Sequence, residues 1–253
     1  MAPLRVYVTG RISIEHGENI VEERDLPGRQ GRLAFAFLAS ERHRPVTKEE
    51  LTSVVWPAAQ PREVEAALAV ILSKLRSVMK KAAPASNLEV RTGTIQLRLP
   101  SEVWIDLEYA ANSIDDADGA LRSGDARGAW GHAVALVIIA RRPFLPGEDA
   151  PWIEARRTRL RSLLVRGLHI LSHITASNGE HALAVQYAGE IVELEPFQET
   201  GYRHLMQMHA QMGNRGEALR VFAKCRELFR DELGADPSQE TERVFLEILR
   251  AGQ

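Results

Sequence analysis

The chain has 253 residues, 45% of them hydrophobic and 26% charged, which is the balance of a globular protein of about two domains. Its longest apolar run, Ala133 to Ala140, ends at Arg141-Arg142, far short of the roughly 20 residues a bilayer span needs. The opening MAPLRVYVTG lacks the basic stretch and apolar core of a secretion signal, and the lone Cys225 excludes an internal disulfide and a cysteine metal site, so a reducing cytoplasm is the expected location. The net charge of −2 conceals an asymmetry: residues 1–100 carry 15 Lys+Arg against 11 Asp+Glu, whereas residues 101–253 carry 17 against 23. A basic module joined to an acidic one predicts that only the first meets a polyanion.

The chain opens on alternation. Leu4, Val6 and Val8 share one face, Ile12 and Ile14 follow Gly10, and Ile20-Val21 comes after the turn residues Gly17-Glu18-Asn19; period two predicts strands. Gly28-Arg29-Gln30-Gly31-Arg32 then leads into Leu33 to Leu38, a short buried helix that Pro45 is expected to stop. Thr47-Lys48-Glu49-Glu50 reads as a capping box, with Glu50 reaching back to the cap. The helix it opens runs to about Val55, with Leu51, Val54 and Val55 inward, and Trp56-Pro57 ends it. After Pro61, Val64, Leu68, Ile71-Leu72, Leu75 and Val78-Met79 recur at spacings of three and four, which predicts a helix to about Lys81. A loop over Ala82 to Asn87 precedes two short alternating runs around Thr92-Gly93-Thr94, a hairpin that Pro100 closes.

Residues 103–253 read as helices almost throughout. Gly-plus-polar breaks fall at Gly124-Asp125, Gly179-Glu180 and Gly213-Asn214, the last two 34 residues apart. The same offset aligns Ala184 with Ala218, Ala188 with Phe222 and Ile191 with Cys225, and Gly124 with Ala129 and Ala133 fits the template. A period of 34 with small residues at helix contacts is the signature of tetratricopeptide (TPR) repeats. The segment Arg142-Pro143-Phe144-Leu145-Pro146-Gly147 breaks the period, and Trp152 is expected to pack near it.

Leu26-Pro27-Gly28-Arg29-Gln30, Arg44-Pro45-Val46, Glu50-Leu51, Trp56 and Ser73-Lys74-Leu75-Arg76 follow one another in an order that resembles the winged helix of the Streptomyces antibiotic regulatory proteins, itself similar to that of the OmpR/PhoB response regulators. Ala218-Leu219-Arg220-Val221-Phe222 and Leu233-Gly234-Ala235-Asp236-Pro237-Ser238 resemble the bacterial transcriptional activator domain that follows it in that family. The resemblance covers nearly the whole chain. It implies an α+β winged helix-turn-helix over residues 1–100, then an all-α TPR-like domain over residues 101–253. It further implies an actinobacterial transcriptional activator that binds direct repeats in double-stranded DNA, usually as a homodimer, and helps recruit RNA polymerase. No receiver domain and no ATPase module are seen in the chain, so control by a histidine kinase is not suggested.

In a winged helix the third helix enters the major groove. The buried stripe at Val64, Leu68, Leu72 and Leu75 leaves Ala66, Ala69, Val70, Ser73, Arg76, Ser77 and Lys80 on the opposite face. Matching the family helix, Ser73, Lys74 and Arg76 are the leading contacts, with Ser77 and Lys80 beyond them. Arg76 is expected to fork onto a guanine edge or to clamp a phosphate, Ser73 and Ser77 are small enough to approach the backbone, and Val70 with Ala69 suits thymine methyls. The wing offers Arg91, Thr92 and Thr94, with Arg98 nearby, and a wing arginine suits the minor groove. Arg29 and Arg32, at the start of the first helix, are placed to hold phosphates or to lie solvated. The same two readings apply to Arg42 and Arg44. The helix departs from the pattern in its acidic start, Glu63 and Glu65, which leaves room for readout by shape.

Catalytic signatures are missing from the sequence: no P-loop and no Gly-x-Ser-x-Gly elbow occur. His169 and His173 stand four apart on a helix but lack an evident third ligand. Asp115-Asp116-x-Asp118 lacks the glycine and distal glutamate of a calcium loop, and Cys225 falls at a repeat packing position. No cofactor and no enzymatic activity are expected. Arg156-Arg157-x-Arg159-x-Arg161 is a basic run in the acidic half, either solvated, near DNA or paired within its own domain. The competing reading is an interaction scaffold, whose TPR-like groove binds a partner and whose winged helix no longer reads bases; a small-molecule sensor has no site to support it.

Overall fold

The computed structural model describes residues 3–251. By packing, the chain divides into two compact units: the residues up to Asn112 together with Ile139–Leu160, and Ser113–Ile138 together with the residues from Arg161 on. The division by packing therefore does not follow a single cut at residue 100.

The first unit begins with a meander of β1 (Leu4–Tyr7), β2 (Ser13–His16) and β3 (Asn19–Glu22), each antiparallel to the last. Alternation works as expected: Leu4, Val6, Val8, Ile12 and Ile14 are buried, and Arg5 is exposed. Helix α1 runs over Gly28–Ser40 and is longer than its apolar run suggested, because Arg29 to Arg32 form its first turn rather than an approach to it. From Leu33 to Ala39 every residue is buried, as suits a helix packed on more than one side. Pro45 does not stop this helix. The chain leaves it at Glu41, and Pro45 precedes a two-residue strand, β4 (Val46–Thr47), that the sequence did not signal.

Helix α2 (Lys48–Val55) starts where expected, with Thr47 Oγ1 accepting from the Glu50 N–H at 3.0 Å. Only half of the capping box forms. The Glu50 carboxylate turns away to the Arg44 guanidinium at 2.5 and 3.0 Å, where a charged, two-point partner wins over a backbone N–H. The Arg44 hydrogen bond holds the Glu50 carboxyl below the usual carboxylate range, against a smaller push from burial. Helix α3 (Val64–Ala82) buries Leu68, Ile71, Leu72, Leu75 and Met79. The hairpin follows as β5 (Asn87–Arg91) and β6 (Thr94–Arg98), and β6 also pairs with β4. Arg91 faces Thr94 in the ladder, leaving a two-residue turn in which Gly93 takes φ 79°.

A last strand, β7 (Trp104–Ile105), pairs in parallel with β1 and completes the order β3-β2-β1-β7. Just after it, Asp106 opens helix α4 (Asp106–Arg122) and is fully buried. Its Oδ2 accepts from the Val8 N–H (3.0 Å), the Thr9 N–H (2.9 Å) and the Thr9 hydroxyl (2.7 Å), and Oδ1 accepts from the Leu107 N–H. Burial pushes this carboxyl up, against four hydrogen bonds that favour the anion. The irregular segment joins the same unit: Phe144 is buried and bridges Thr9, and the Trp152 ring meets Phe144 and Phe37 edge-on. Arg157 donates to the carbonyls of Phe144, Leu145 and Glu148, and Arg156 pairs with Glu41. Half of the basic run is thus spent on holding its own unit.

The second unit is helical. Helices α5 (Ala126–Ala140) and α6 (Pro151–Ser177) contribute to it, followed by α7 (His181–Leu194), α8 (Glu199–Gln211), α9 (Arg215–Leu233) and α10 (Gln239–Arg250). The three predicted breaks are one structure repeated. Gly124, Gly179 and Gly213 have φ of 80°, 79° and 73°, and each next residue donates its N–H to the carbonyl five positions back. This is a Schellman closure, which requires the left-handed residue that glycine supplies without strain. Ala129, Ala133, Ala184, Ala188, Ala218 and Cys225 are all fully buried, as the repeat predicted. Gly167 allows a further close approach, since a Cβ there would lie 2.9 Å from Val137 Cγ2.

Candidate nucleic-acid interface

Helix α3 is fixed from one side only. Leu68, Leu72 and Leu75 face the core, and one stripe opposite them holds Ala66, Val70, Ser73 and Ser77, all exposed. Lys74 and Lys80, with Lys81 beside them, are exposed on the flanks of this stripe. Among the described residues, Ser73, Lys74, Ser77 and Lys80 have no side-chain partner, so their donors are free to meet an external acceptor. Lys80 and Lys81 also occupy the last turn, where the helix dipole favours cations.

Arg76 is exposed on α3, as its place in the sequence predicts, and also reaches the hairpin. Its Nη2 donates to the Leu88 carbonyl at 3.2 Å, which ties α3 to the first strand of the hairpin. One face of the guanidinium is therefore engaged in the fold. The wing arginines are likewise paired. Glu89 accepts from Arg91 Nε at 2.7 Å and from Arg98 Nε at 3.3 Å, and these two guanidiniums hold its carboxyl below the usual range. Glu89 was missed in the sequence, although period two places it on the same face as Arg91. Thr92 is exposed at the tip of the turn.

The arginines of α1 are committed too. Arg29 meets Glu148 at 2.5–3.0 Å and Arg32 meets Glu23 at 2.9 Å. Arg42 makes a two-point pair with Glu108 at 2.6 and 2.7 Å. The structure thus leaves the α3 lysines and serines free and gives most of the nearby arginines carboxylate partners. A carboxylate partner on the surface is screened by water and contributes little, so a phosphate can compete for an exposed arginine such as Arg91.

No group of three or more His, Cys, Asp or Glu able to hold a metal occurs among the described residues. His169 lies beside His204 rather than acting with His173, their rings 5.3 Å apart. Ser172 gives its hydroxyl proton to the Ala184 carbonyl at 2.9 Å, so the His204 Nε2–H donates to Ser172 Oγ at 2.8 Å. Burial, with His169 and His173 adding to it, pushes the His204 imidazole down to about 4. Cys225 is buried in the repeat core, and burial pushes its thiol up to about 12, which suits packing and not nucleophilic chemistry.

One unit of this chain thus carries a winged helix with a free outer face on its third helix, and the other carries repeated helices. The chain belongs to the bacterial transcriptional activator domain family, whose model matches residues 105–249. Its resemblance to the Streptomyces antibiotic regulatory proteins is borne out by two curated relatives. The regulatory protein AfsR of Streptomyces coelicolor is 28% identical over 222 residues, which is 88% of this chain and 22% of that protein. The AfsR of Streptomyces griseus is 25% identical over 256 residues, 99% of this chain and 25% of that protein. The chain thus spans about a quarter of the length of these relatives. The solved structure of Mycobacterium tuberculosis EmbR in complex with a low-affinity phosphopeptide covers 99% of this chain and 66% of that one, with a TM-score of 0.83 at 19% identity. That likeness establishes the winged-helix and TPR-like fold. No helix among the described residues is long and apolar enough to cross a membrane.

Proposed function

We propose that this chain is a sequence-specific double-stranded DNA-binding regulator, an activator that contacts RNA polymerase. In this reading residues 1–100 carry the DNA contact and residues 101–253 the activator domain. It acts in the cytoplasm, without cofactor or catalysis, and pairs as a homodimer on repeated sites. The observation that carries the reading is the outer face of α3, where Ser73, Lys74, Ser77 and Lys80 are exposed and unpartnered while the opposite face is buried. Phosphate neutralisation supplies most of the affinity and base edges the sequence preference. Lys74 and Lys80 serve the first, and Ser73 and Ser77 approach the groove. Arg76 fixes the helix against the wing and keeps its remaining donors for a phosphate or a guanine edge. Arg91 and Thr92 follow the wing, with Arg91 exchanging Glu89 for the DNA. Arg29 and Arg32 act on DNA only by releasing Glu148 and Glu23, which ranks them last.

A second reading, an interaction scaffold without base reading, draws on the exposed acidic start of α3 at Glu65 and on the pairing of the wing arginines. One experiment separates the two. Genomic fragments retained by the full chain at physiological salt are sequenced beside those retained by the Lys74→Ala, Lys80→Ala variant. A shared repeated motif, retained by the wild type and lost in the variant, is expected. Retention without any enriched motif, equal in both proteins, points to the scaffold. Each lost phosphate contact also lowers the salt dependence, by about 0.9 in the log–log slope.

A further inference from the structure

Val70 is the bulkiest apolar side chain on the outer face of α3 and is 54% exposed. It stands four residues after Ala66 and three before Ser73, on the stripe opposite Leu68, Leu72 and Leu75. Spacings of three and four put these residues in line along one face. Its neighbours on that stripe are Ala66, Ser73 and Ser77, with Ala69 at the side, none of which extends further than Val70. The longer side chains, Lys74, Arg76 and Lys80, stand to either side or are drawn back toward the hairpin. The helix therefore presents a narrow, shallow ridge with one branched apolar tip.

Resting on the DNA-binding reading above, we infer that Val70 reads the C5-methyl group of a thymine in the major groove, and so sets a T·A pair in each half-site. The argument is one of desolvation. Valine neither donates nor accepts, so pressing it on the edge of guanine, adenine or cytosine strips water from polar atoms and returns no hydrogen bond, which is costly. The thymine methyl is the single apolar group that the four bases display in the major groove. The small neighbours are what allow the contact, because a long side chain at 66 or 73 would hold the helix away from the base edges. The acidic Glu65 and the short serines leave little direct hydrogen-bond reading near Val70, so the methyl contact carries the preference at that position.

The test uses the full chain and the duplex motif recovered from the retained genomic fragments. Each thymine of the motif is replaced in turn by uracil, which removes the methyl and leaves the pairing edge intact. Affinity is measured for the wild type, Val70→Ala and Val70→Thr. At one thymine per half-site, uracil is expected to weaken the wild type about fourfold, the worth of one buried carbon. Val70→Ala binds the thymine duplex more weakly by a similar factor and no longer distinguishes uracil from thymine. Val70→Thr, which keeps one methyl and the shape, stays sensitive. Because Val70 is exposed, all three proteins should unfold alike, and a denaturation curve checks this. Uracil without effect at every position, or an equal response in wild type and Val70→Ala, overturns the inference while leaving DNA binding intact. Recovery of no motif at all overturns the DNA-binding reading and this inference with it.

Discussion

Alanines occupy the working faces of two regions, helix α3 and the repeat helices α5, α7 and α9, and their burial is opposite. Ala129, Ala184 and Ala218 are fully buried, whereas Ala66 and Ala69 are exposed. In the repeats the small residue lets a neighbouring helix of the same chain come close. On α3 the small residues are exposed among the described residues, so they are available for an outside partner. A short side chain is thus a mark of close approach, and burial tells whether the approach is internal.

The comparison is most easily broken by enlarging the alanines. Ala184→Leu should lower stability by about 3 kcal/mol, the upper range for overpacking a filled core, read as a lower denaturant midpoint. Ala66→Leu should leave stability within about 0.5 kcal/mol and weaken binding to the enriched DNA tenfold or so, read in a titration. If Ala66→Leu binds as well as wild type, the outer face of α3 is not a contact surface. If Ala184→Leu unfolds like wild type, the repeat core is looser than its burial implies.

A smaller effect follows from His204. The folded protein holds its imidazole neutral down to about 4, whereas the unfolded chain protonates near 6.5. The unfolded state therefore binds more protons between these values, and stability falls as pH drops from about 6.5 toward 4. His204→Gln keeps a donor for Ser172 and removes the titration, so unfolding curves across this window should show a flatter pH dependence than wild type. The smallest effect is expected at the wing. Glu89→Gln frees Arg91 and Arg98 from a competing carboxylate, which should raise DNA affinity a few-fold and steepen its salt dependence by about one log–log unit per arginine that reaches a phosphate. An unchanged salt slope would mean that the wing arginines stay off the DNA.

Local signals made most of the fold legible. The stripe on α3, the hairpin turn and the three glycine breaks each rest on residues within a few positions of one another, where sterics and period decide. The free face of α3 could be read in the same way, since a buried stripe defines its opposite. What stayed hidden was long-range. β7 is two residues long and finds β1 across a hundred positions, and the partners of Arg29 and Arg156 lie 119 and 115 residues away. Sequence spacing cannot report such pairs, so it leaves the state of these arginines open. The helix after Pro27 is longer than its apolar run because its first turn is polar, and Pro45 precedes a strand instead of ending the helix.

The bond from Arg76 to Leu88 ends on a backbone carbonyl, and every amino acid carries one. Drift in β5 can therefore alter what the hairpin offers to a ligand without removing the acceptor that holds it beside α3. Leu88 itself is buried and α3 packs on β5, so the exposed positions of the hairpin can vary while that spacing is kept.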